Sequence, residues 1–375
     1  MSASKTKWVR LGDYIERSMI NNSDLKYGAE LIEGVNSSGV FCTSKANTID
    51  INLKPYKIVN NGDFVYNPSR LDIGSIAYRT EGMCIVSHLY VVFHLNEIGK
   101  KYFIPDFLFL YFKRKEFLRQ VTFLNIGSQR PEFNFFQMSD IMVPLPSIEV
   151  QQELVDTYNG LKSLAEQNEA LIEPLSKACE ALTIKCLIQS NIKKEKVGNL
   201  ITFYEKVNVS GLELPIYGIN KNKTFMPTVA DTNNLNKAKY KLVSKNIFAF
   251  SGMQTGRDVC IRIAYMEDDR EFLISPAYTT FKLNDLSKIL PQFFFILFCR
   301  FEMDRLGWFL SDGSIRSNLD LERFCDIEIP LPPIEVQQSI VNLYHCMEEA
   351  KKISSEAREK LKEICPALIQ KAIHQ

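Results

Sequence analysis

A chain of 375 residues, 46% hydrophobic and 24% charged, is long enough to bury a large core and to hold two or more domains. Its net charge of +1 excludes a global basic field, so any nucleic-acid binding must rest on local patches. Nine cysteines without a paired C-x-x-C spacing and four histidines without metal-ligand spacing argue against a zinc site, and predict reduced thiols and a cytoplasmic address. The opening Met-Ser-Ala-Ser-Lys-Thr-Lys has no apolar signal core, and the apolar runs at 103–112 and 293–298 are too short to span a bilayer.

In chain order, Trp8-Val9-Arg10-Leu11-Gly12-Asp13-Tyr14-Ile15 opens a region that reads as strand and turn as far as Asn96. The strand Lys57-Ile58-Val59 passes through the turn Asn60-Asn61-Gly62-Asp63 into the strand Phe64-Val65-Tyr66. Asn67-Pro68-Ser69-Arg70 follows as a loop, then Gly74-Ser75-Ile76-Ala77-Tyr78, then a β-rich run over 86–95 with His88 and His94 on one face. A helix is predicted from Pro105 to about Val121, with Phe107, Leu110, Tyr111, Arg114 and Leu118 at helical spacing. A loop holding Gly127-Ser128-Gln129-Arg130-Pro131 precedes the strand Asp140-Ile141-Met142-Val143.

That strand runs into Pro144-Leu145-Pro146-Ser147-Ile148-Glu149-Val150-Gln151-Gln152. The prolines favour extended backbone, Ile148 is placed to pack on a first helical turn, and Glu149 suits the positive end of a helix dipole. A long helix is predicted over 149–189. Leu154, Leu161, Leu175 and Leu182 keep a seven-residue period, with Tyr158, Ala165, Ile172, Cys179 and Cys186 as companions, which is a coiled-coil seam. Asn168 interrupts it with an amide suited to setting register. Pro174 is expected to kink the helix or end it locally.

The same phrase recurs as Pro330-Leu331-Pro332-Pro333-Ile334-Glu335-Val336-Gln337-Gln338, 186 positions further on, ahead of a second helix predicted over 335–373. Other matches keep that offset: Leu11-Gly12-Asp13 with Val197-Gly198-Asn199, Ile104-Pro105-Asp106-Phe107 with Leu290-Pro291-Gln292-Phe293, Gly127-Ser128-Gln129-Arg130 with Gly313-Ser314-Ile315-Arg316, and Asp140-Ile141 with Asp326-Ile327. One half of the chain therefore repeats the other. Ile340, Tyr344, Met347, Leu361, Cys365 and Leu368 take the positions of the first seam, with Lys351, Ser354 and Arg358 where Ala165, Asn168 and Ile172 stand. Neither helix can bury its stripe alone, so the two are expected to pack on each other, antiparallel. The fold class is α+β, with two pseudo-repeated mixed α/β units and two long antiparallel coiled-coil helices.

Catalytic motifs are scarce. There is no Gly-x-x-x-x-Gly-Lys-Ser/Thr phosphate loop. Asn67-Pro68-Ser69-Arg70 lacks the second proline and the aromatic of an amino-methyltransferase motif, no Gly-rich cofactor loop precedes it, and it reads as a turn. The candidate binding residues are arginines in polar loops: Arg70, Arg130, Arg257 and Arg316. Arginine reads guanine edges or holds a phosphate, Gln129 and Gln254 could read adenine, and Gly127-Ser128 and Gly313-Ser314 permit close approach of a phosphodiester. The competing reading is a solvated loop with an ion-paired arginine. Lys113-Arg114-Lys115 and Lys237, Lys239 and Lys241 read as solvated faces, though either cluster could track a phosphate backbone.

Two unlike halves, each followed by Pro-Leu-Pro-x-Ile-x-x-Gln-Gln and a long helix, together with Leu11-Gly12-Asp13 and Tyr66-Asn67-Pro68-Ser69-Arg70-Leu71-Asp72-Ile73-Gly74-Ser75-Ile76, give a pattern that resembles the specificity subunit of type I restriction–modification systems over the whole chain. The resemblance implies two target recognition domains, at 1–148 and 191–334, each reading one part of a bipartite, asymmetric double-stranded DNA site. It implies spacer helices at 149–190 and 335–375 that set the gap and dock two methyltransferase subunits, through which restriction subunits join. On that basis Ser128, Ser314 and the arginines and glutamines named above are candidate DNA contacts. The chain itself would be non-catalytic and hold no cofactor; S-adenosylmethionine, ATP and magnesium belong to the partners. A stand-alone DNA-binding adaptor or repressor, without a methyltransferase, is the alternative, and it should expose no large apolar patch on the helices.

Overall fold

The computed structural model describes residues 7–43, 51–125, 132–189, 191–228, 235–253, 255–313 and 317–374, with side chains described as far as 362. The candidate residues Ser128, Gln129, Arg130, Gln254, Ser314 and Arg316, and the side chain of Leu368, lie outside that description. The chain divides into two units. Unit 1 comprises 1–167 and 353–375, and unit 2 comprises 168–352.

Unit 1 runs β1 (Lys7–Arg10), β2 (Ile15–Arg17), β3 (Glu33–Val35), β4 (Phe41–Thr43), β5 (Lys57–Val59), β6 (Phe64–Tyr66), β7 (Ile76–Tyr78), β8 (Cys84–Val86), β9 (Val91–Leu95), α1 (Gly99–Tyr102), α2 (Pro105–Phe112), α3 (Lys115–Leu124), α4 (Phe135–Ser139) and β10 (Met142–Leu145), and then enters α5 (Ile148–Ile188). One sheet has the order β2-β9-β6-β7 and a separate pair joins β1 to β10. The pairs β3-β4 and β5-β8 are bridged by a single parallel contact, Ile32 to Ile85.

Unit 2 runs β11 (Lys194–Lys196), α6 (Val197–Leu200), β12 (Ile201–Phe203), β13 (Ile216–Ile219), β14 (Phe225–Pro227), β15 (Lys241–Val243), β16 (Phe248–Ser251), α7 (Thr255–Asp258), β17 (Arg262–Tyr265), β18 (Phe272–Ile274), β19 (Thr279–Leu283), α8 (Pro291–Cys299), α9 (Phe301–Leu310), α10 (Leu321–Asp326), β20 (Glu328–Pro330) and the start of α11 (Ile334–His374). Its sheets are β12-β19-β16-β17, β14-β13-β18-β15 and β11-β20, the same order strand for strand.

The repetition extends into the cores. Phe64 faces Phe93 across β6 and β9 with centroids 5.0 Å apart, and Phe248 faces Phe281 across β16 and β19 at 5.2 Å. Phe112 of α2 meets Phe64 edge-on at 5.9 Å, and Phe294 of α8 meets Phe248 at 5.2 Å. All six rings are fully buried. Each contributes about 1.5–3 kcal/mol by burial alone, so the aromatic stack is a main tie between sheet and helix in both units.

Both long helices are 41 residues, roughly 60 Å at 1.5 Å per residue. α5 runs unbroken through Pro174. Unit 1 takes the first half of α5 and the second half of α11, and unit 2 takes the remaining halves, as antiparallel helices require. The predicted seam of α5 faces inward: Leu154, Ala165, Cys179 and Cys186 are buried, and Tyr158, Leu161, Ile172, Leu175 and Leu182 half-buried. On α11 Ile340 and Met347 are buried, and Tyr344 and Leu361 half-buried. Burial, reinforced by the neighbouring Cys299, pushes the Tyr344 hydroxyl well above its ordinary range.

Some expectations are corrected. The helix predicted from Pro105 to Val121 is two, α2 and α3, because Arg114 takes extended backbone at ψ 140°. The buried stripe of α11 continues through Ala350, Ser354 and Ala357 rather than Lys351, which turns outward, while Arg358 is half-buried at its edge. Ile148 is exposed rather than packed on its first turn. His88 lies in a turn between β8 and β9, so it shares no strand face with His94. Lys241 is buried, donating to the Tyr278 carbonyl at 2.7 Å and pairing with Glu205 at 2.7 Å. Arg114 is largely buried too, over the Tyr111 ring and beside Glu116 at 3.3 Å.

Candidate nucleic-acid interface

The repeated proline phrase has a structural task. Gln151 is wholly buried at the first turns of α5. Its Oε1 accepts from the Ile104 N–H at 2.8 Å, and its Nε2 donates to the carbonyls of Tyr102 at 2.8 Å and Pro146 at 3.0 Å. Gln337 does the same in unit 2: Oε1 accepts from Leu290 N–H at 2.9 Å, and Nε2 donates to Lys288 at 2.8 Å and Pro332 at 2.9 Å. One amide thus joins the long helix, the proline phrase and the segment leading to α2 or α8. Nearby, Leu11 N–H donates to Ile141 and Val197 N–H to Ile327, both at 2.9 Å, and Arg10–Asp140 answers Lys196–Asp326, both at 2.7 Å. Gly12 and Gly198 serve this junction: an added Cβ would lie 2.8 Å from Ser139 Cβ and 3.0 Å from Cys325 Cβ, respectively.

On this duplicated frame the loops after β6 and β16 leave the same sheet position and differ. In unit 1 the Asn67 N–H closes onto the Ser75 carbonyl at 3.0 Å, and the Asn67 side chain accepts from Ser69 N–H at 3.0 Å. A 3-10 turn, Leu71–Ile73, ends at Gly74 with φ +96°, where a Cβ would meet the Ser37 carbonyl at 2.6 Å. Arg70 stands at the outer end of this turn, exposed, with no side-chain hydrogen bond or ion pair to the described residues. A free guanidinium on a braced turn is suited to base-edge or phosphate contact.

In unit 2 the chain instead forms α7. Thr255, wholly buried, donates from Oγ1 to the Gly252 carbonyl at 2.9 Å, and Gly256 N–H donates to Ser317 at 2.8 Å. Gly252 allows no side chain, since a Cβ would overlap the Leu319 carbonyl. Arg257 is exposed and reaches Asp258 at 3.1 Å; that buried carboxylate also holds Arg262 at 2.6 Å and Lys221 at 3.6 Å. Burial works to raise the Asp258 carboxyl, but hydrogen bonds from Arg257 and Arg262 and the charges of Arg257 and Lys221 hold it below the usual carboxylate range.

Both loops are tied to the chain leaving the Gly-Ser-x-Arg segments: Phe133 N–H donates to Pro68 at 3.0 Å, and Leu319 N–H to Gly252 at 2.9 Å. The structure therefore gathers Arg70 with the exit of the 126–131 segment in unit 1, and Arg257 with the exit of 314–316 in unit 2. The seam leucines belong elsewhere, to the helices and the core beneath them. Sequence reading passed over a further match: Glu116, Arg119, Phe123 and Leu124 on α3 against Glu302, Arg305, Phe309 and Leu310 on α9, at the same offset. The 186-residue offset is the signal that marks it.

No curated protein matches this chain. The crystal structure of a type I restriction–modification system S subunit from M. genitalium superposes with a TM-score of 0.60 at 13% identity, over 100% of this chain and 98% of that one. At that identity the likeness is one of fold. The HsdS subunit from Thermoanaerobacter tengcongensis covers 99% of this chain and 97% of its own at 15% identity, but with a TM-score of 0.45 it adds no separate argument. The family model for the type I restriction modification DNA specificity domain matches twice, at residues 5–176 and 180–363, so each half of the repeat is one such domain and the chain belongs to that family.

Proposed function

We infer that this chain is the non-catalytic DNA-specificity subunit of a type I restriction–modification complex. The observation that carries this reading, beside the family, is the contrast between a frame copied bond for bond and two unlike arginine-bearing loops at the same place on it. Two copies of one scaffold with different reading loops suit a bipartite, asymmetric double-stranded DNA site. Residues 1–148 and 191–334 serve as the two target recognition domains, and 149–190 and 335–375 as helices that set the spacing. A helix of roughly 60 Å exceeds the ~34 Å of one DNA turn.

Arg70 and Arg257 are the described candidates for base contact, and Ser128, Gln129, Arg130, Gln254, Ser314 and Arg316 complete the proposed set. The partners are two methyltransferase subunits on the helices, with restriction subunits joining through them in the cytoplasm. S-adenosylmethionine, ATP and magnesium would be held by those partners. In support of a helix-bound partner, Leu164 in unit 1 and Leu171, Ile184 and Ile188 in unit 2 keep their side chains exposed on α5.

The test is purification of the tagged chain from its own host. A DNA methyltransferase at two copies per chain is the expected result. Recovery of the chain alone, still binding DNA, would replace the complex with a stand-alone adaptor.

A further inference from the structure

Of the element Glu-x-x-Arg-x-x-x-Phe-Leu shared by α3 and α9, the glutamate, arginine and phenylalanine lie outside the packed faces of those helices, while Leu310 packs half-buried on the core of unit 2. The buried pairs are Phe117 and Val121 on α3 and Met303 and Gly307 on α9. Phe123 is 71% exposed and Phe309 76% exposed, so core packing does not account for an aromatic at both positions. Each follows its arginine by four residues, which puts the two on one helix face. Arg119 pairs with Glu116 at 3.6 Å and Arg305 with Glu302 at 3.0 Å, both in the open. Exposed pairs of this kind stabilise little, so either guanidinium can change partner at small cost.

The last carbonyl of each helix, which would repel an anion, is hydrogen-bonded in both units. Gln137 Nε2 donates to the Leu124 carbonyl at 3.4 Å, and Arg323 Nη1 to the Leu310 carbonyl at 2.7 Å. Further apolar side chains stand open beside it, Phe136 in unit 1 and Trp308 in unit 2. The chain that leaves each helix returns through Phe133 or Leu319, the residues bonded to the loops of Arg70 and Arg257. α3 also packs on the turn Leu71–Ile73 beside Arg70, and α9 on α7, so the helix that carries each exposed aromatic flanks the proposed reading loop.

An element common to two units that read different half-sites carries no sequence discrimination. An open aromatic beside an arginine, next to a reading loop, has the chemistry of an apolar wedge with a phosphate clamp. We propose that Phe123 with Arg119, and Phe309 with Arg305, are sequence-independent DNA anchors. The aromatic enters the groove of duplex DNA beside the bases being read, while the arginine exchanges its glutamate for a phosphate. This rests on the DNA-reading function proposed above, and it assigns the seating of each domain on the duplex to a helix end rather than to the reading loops.

The experiment is fluorescence anisotropy of the full chain with a labelled duplex of arbitrary sequence, over a salt series. Phe123→Ala and Phe309→Ala are each expected to weaken binding about tenfold on any sequence without changing the salt slope. Arg119→Gln and Arg305→Gln are each expected to make the slope shallower by about one. Unchanged melting temperatures serve as the folding control, since all four side chains are exposed. Phenylalanine variants that bind like the unmodified chain overturn the anchor, and so does a loss confined to one sequence. Retained DNA affinity with loss of the methyltransferase on co-purification would reassign the surface to protein docking. If neither the unmodified chain nor its complex with the methyltransferase binds duplex at low salt, the DNA-reading function itself is overturned, and the anchor with it.

Discussion

The junctions at Gln151 and Gln337 are built from the same three hydrogen bonds, whereas the loops at Arg70 and Arg257 share the strand end they leave from and one backbone tie, from Phe133 or Leu319, and differ in form between them. Burial accounts for the difference. A buried amide that satisfies three backbone groups has no substitute, because any replacement leaves those groups unpaired in the interior. An exposed loop only has to bring its ends together. It can do so with an asparagine-braced turn, as in unit 1, or with a short helix packed on Ser317 and Leu319, as in unit 2. The molecule varies where water can satisfy the alternatives and repeats where it cannot.

The strongest way to break this comparison is to remove the lock. Gln151→Leu and Gln337→Leu each orphan one N–H and two carbonyls, at about 1–3 kcal/mol per group, so roughly 3 kcal/mol or more of stability should be lost in either case. Urea denaturation of the two variants should give similar losses. A large loss in one and none in the other would show that the shared geometry hides unequal roles.

A smaller effect is expected at the loops, and on binding rather than stability. Arg70→Ala should weaken recognition of one half-site by about 1–3 kcal/mol, and Arg257→Ala should do the same for the other. Competition with duplexes altered in a single half measures this. Equal weakening on unrelated DNA would make both residues phosphate contacts.

Acid should distinguish the two loops, because only that of unit 2 is built on a buried carboxylate. The folded-state pKa of Asp258 is depressed. Its stabilising contribution is therefore fully present above the unfolded-state value and is lost as pH falls through the folded one. Asp258→Asn should remove this part of the acid dependence, leaving a shallower fall in stability below about pH 4. An unchanged acid limb in the variant would count against Asp258 as the sensitive group.

The smallest effect sharpens the match between β6 and β16. Tyr66 is buried with no partner for its hydroxyl among the described residues, and unit 2 has Phe250 at the corresponding place. Tyr66→Phe should be neutral or stabilising, by no more than about 1 kcal/mol in thermal or chemical unfolding. A clear destabilisation would reveal a partner for the hydroxyl.

The sequence alone made the duplication, the long helices and most of the α5 seam legible. Those signals are local or periodic: the proline phrase starts a helix wherever it occurs, and a seven-residue period marks a buried stripe without knowledge of what covers it. Arg70 and Arg257 stand out in the sequence only as arginines in polar loops, and that their two loops differ in form is a matter of the fold. Local signals also misled. Helical spacing ran through Arg114, although its extended backbone divides α2 from α3, and Lys241 looked like part of a solvated face.

Tertiary structure decided what depended on contacts between residues far apart in the chain. Gln151 acquires its role from the carbonyl of Tyr102 and the N–H of Ile104, and Lys241 is buried because Glu205 and the Tyr278 carbonyl receive its charge. Ala350 and Ala357, not Lys351, carry the stripe of α11, which only packing reveals. Phe123 and Phe309 are left in solvent, which only the assembled fold shows. A period shows that a face is buried, but the identity of the opposing surface, and the side chains left over for a partner, come from the assembled fold.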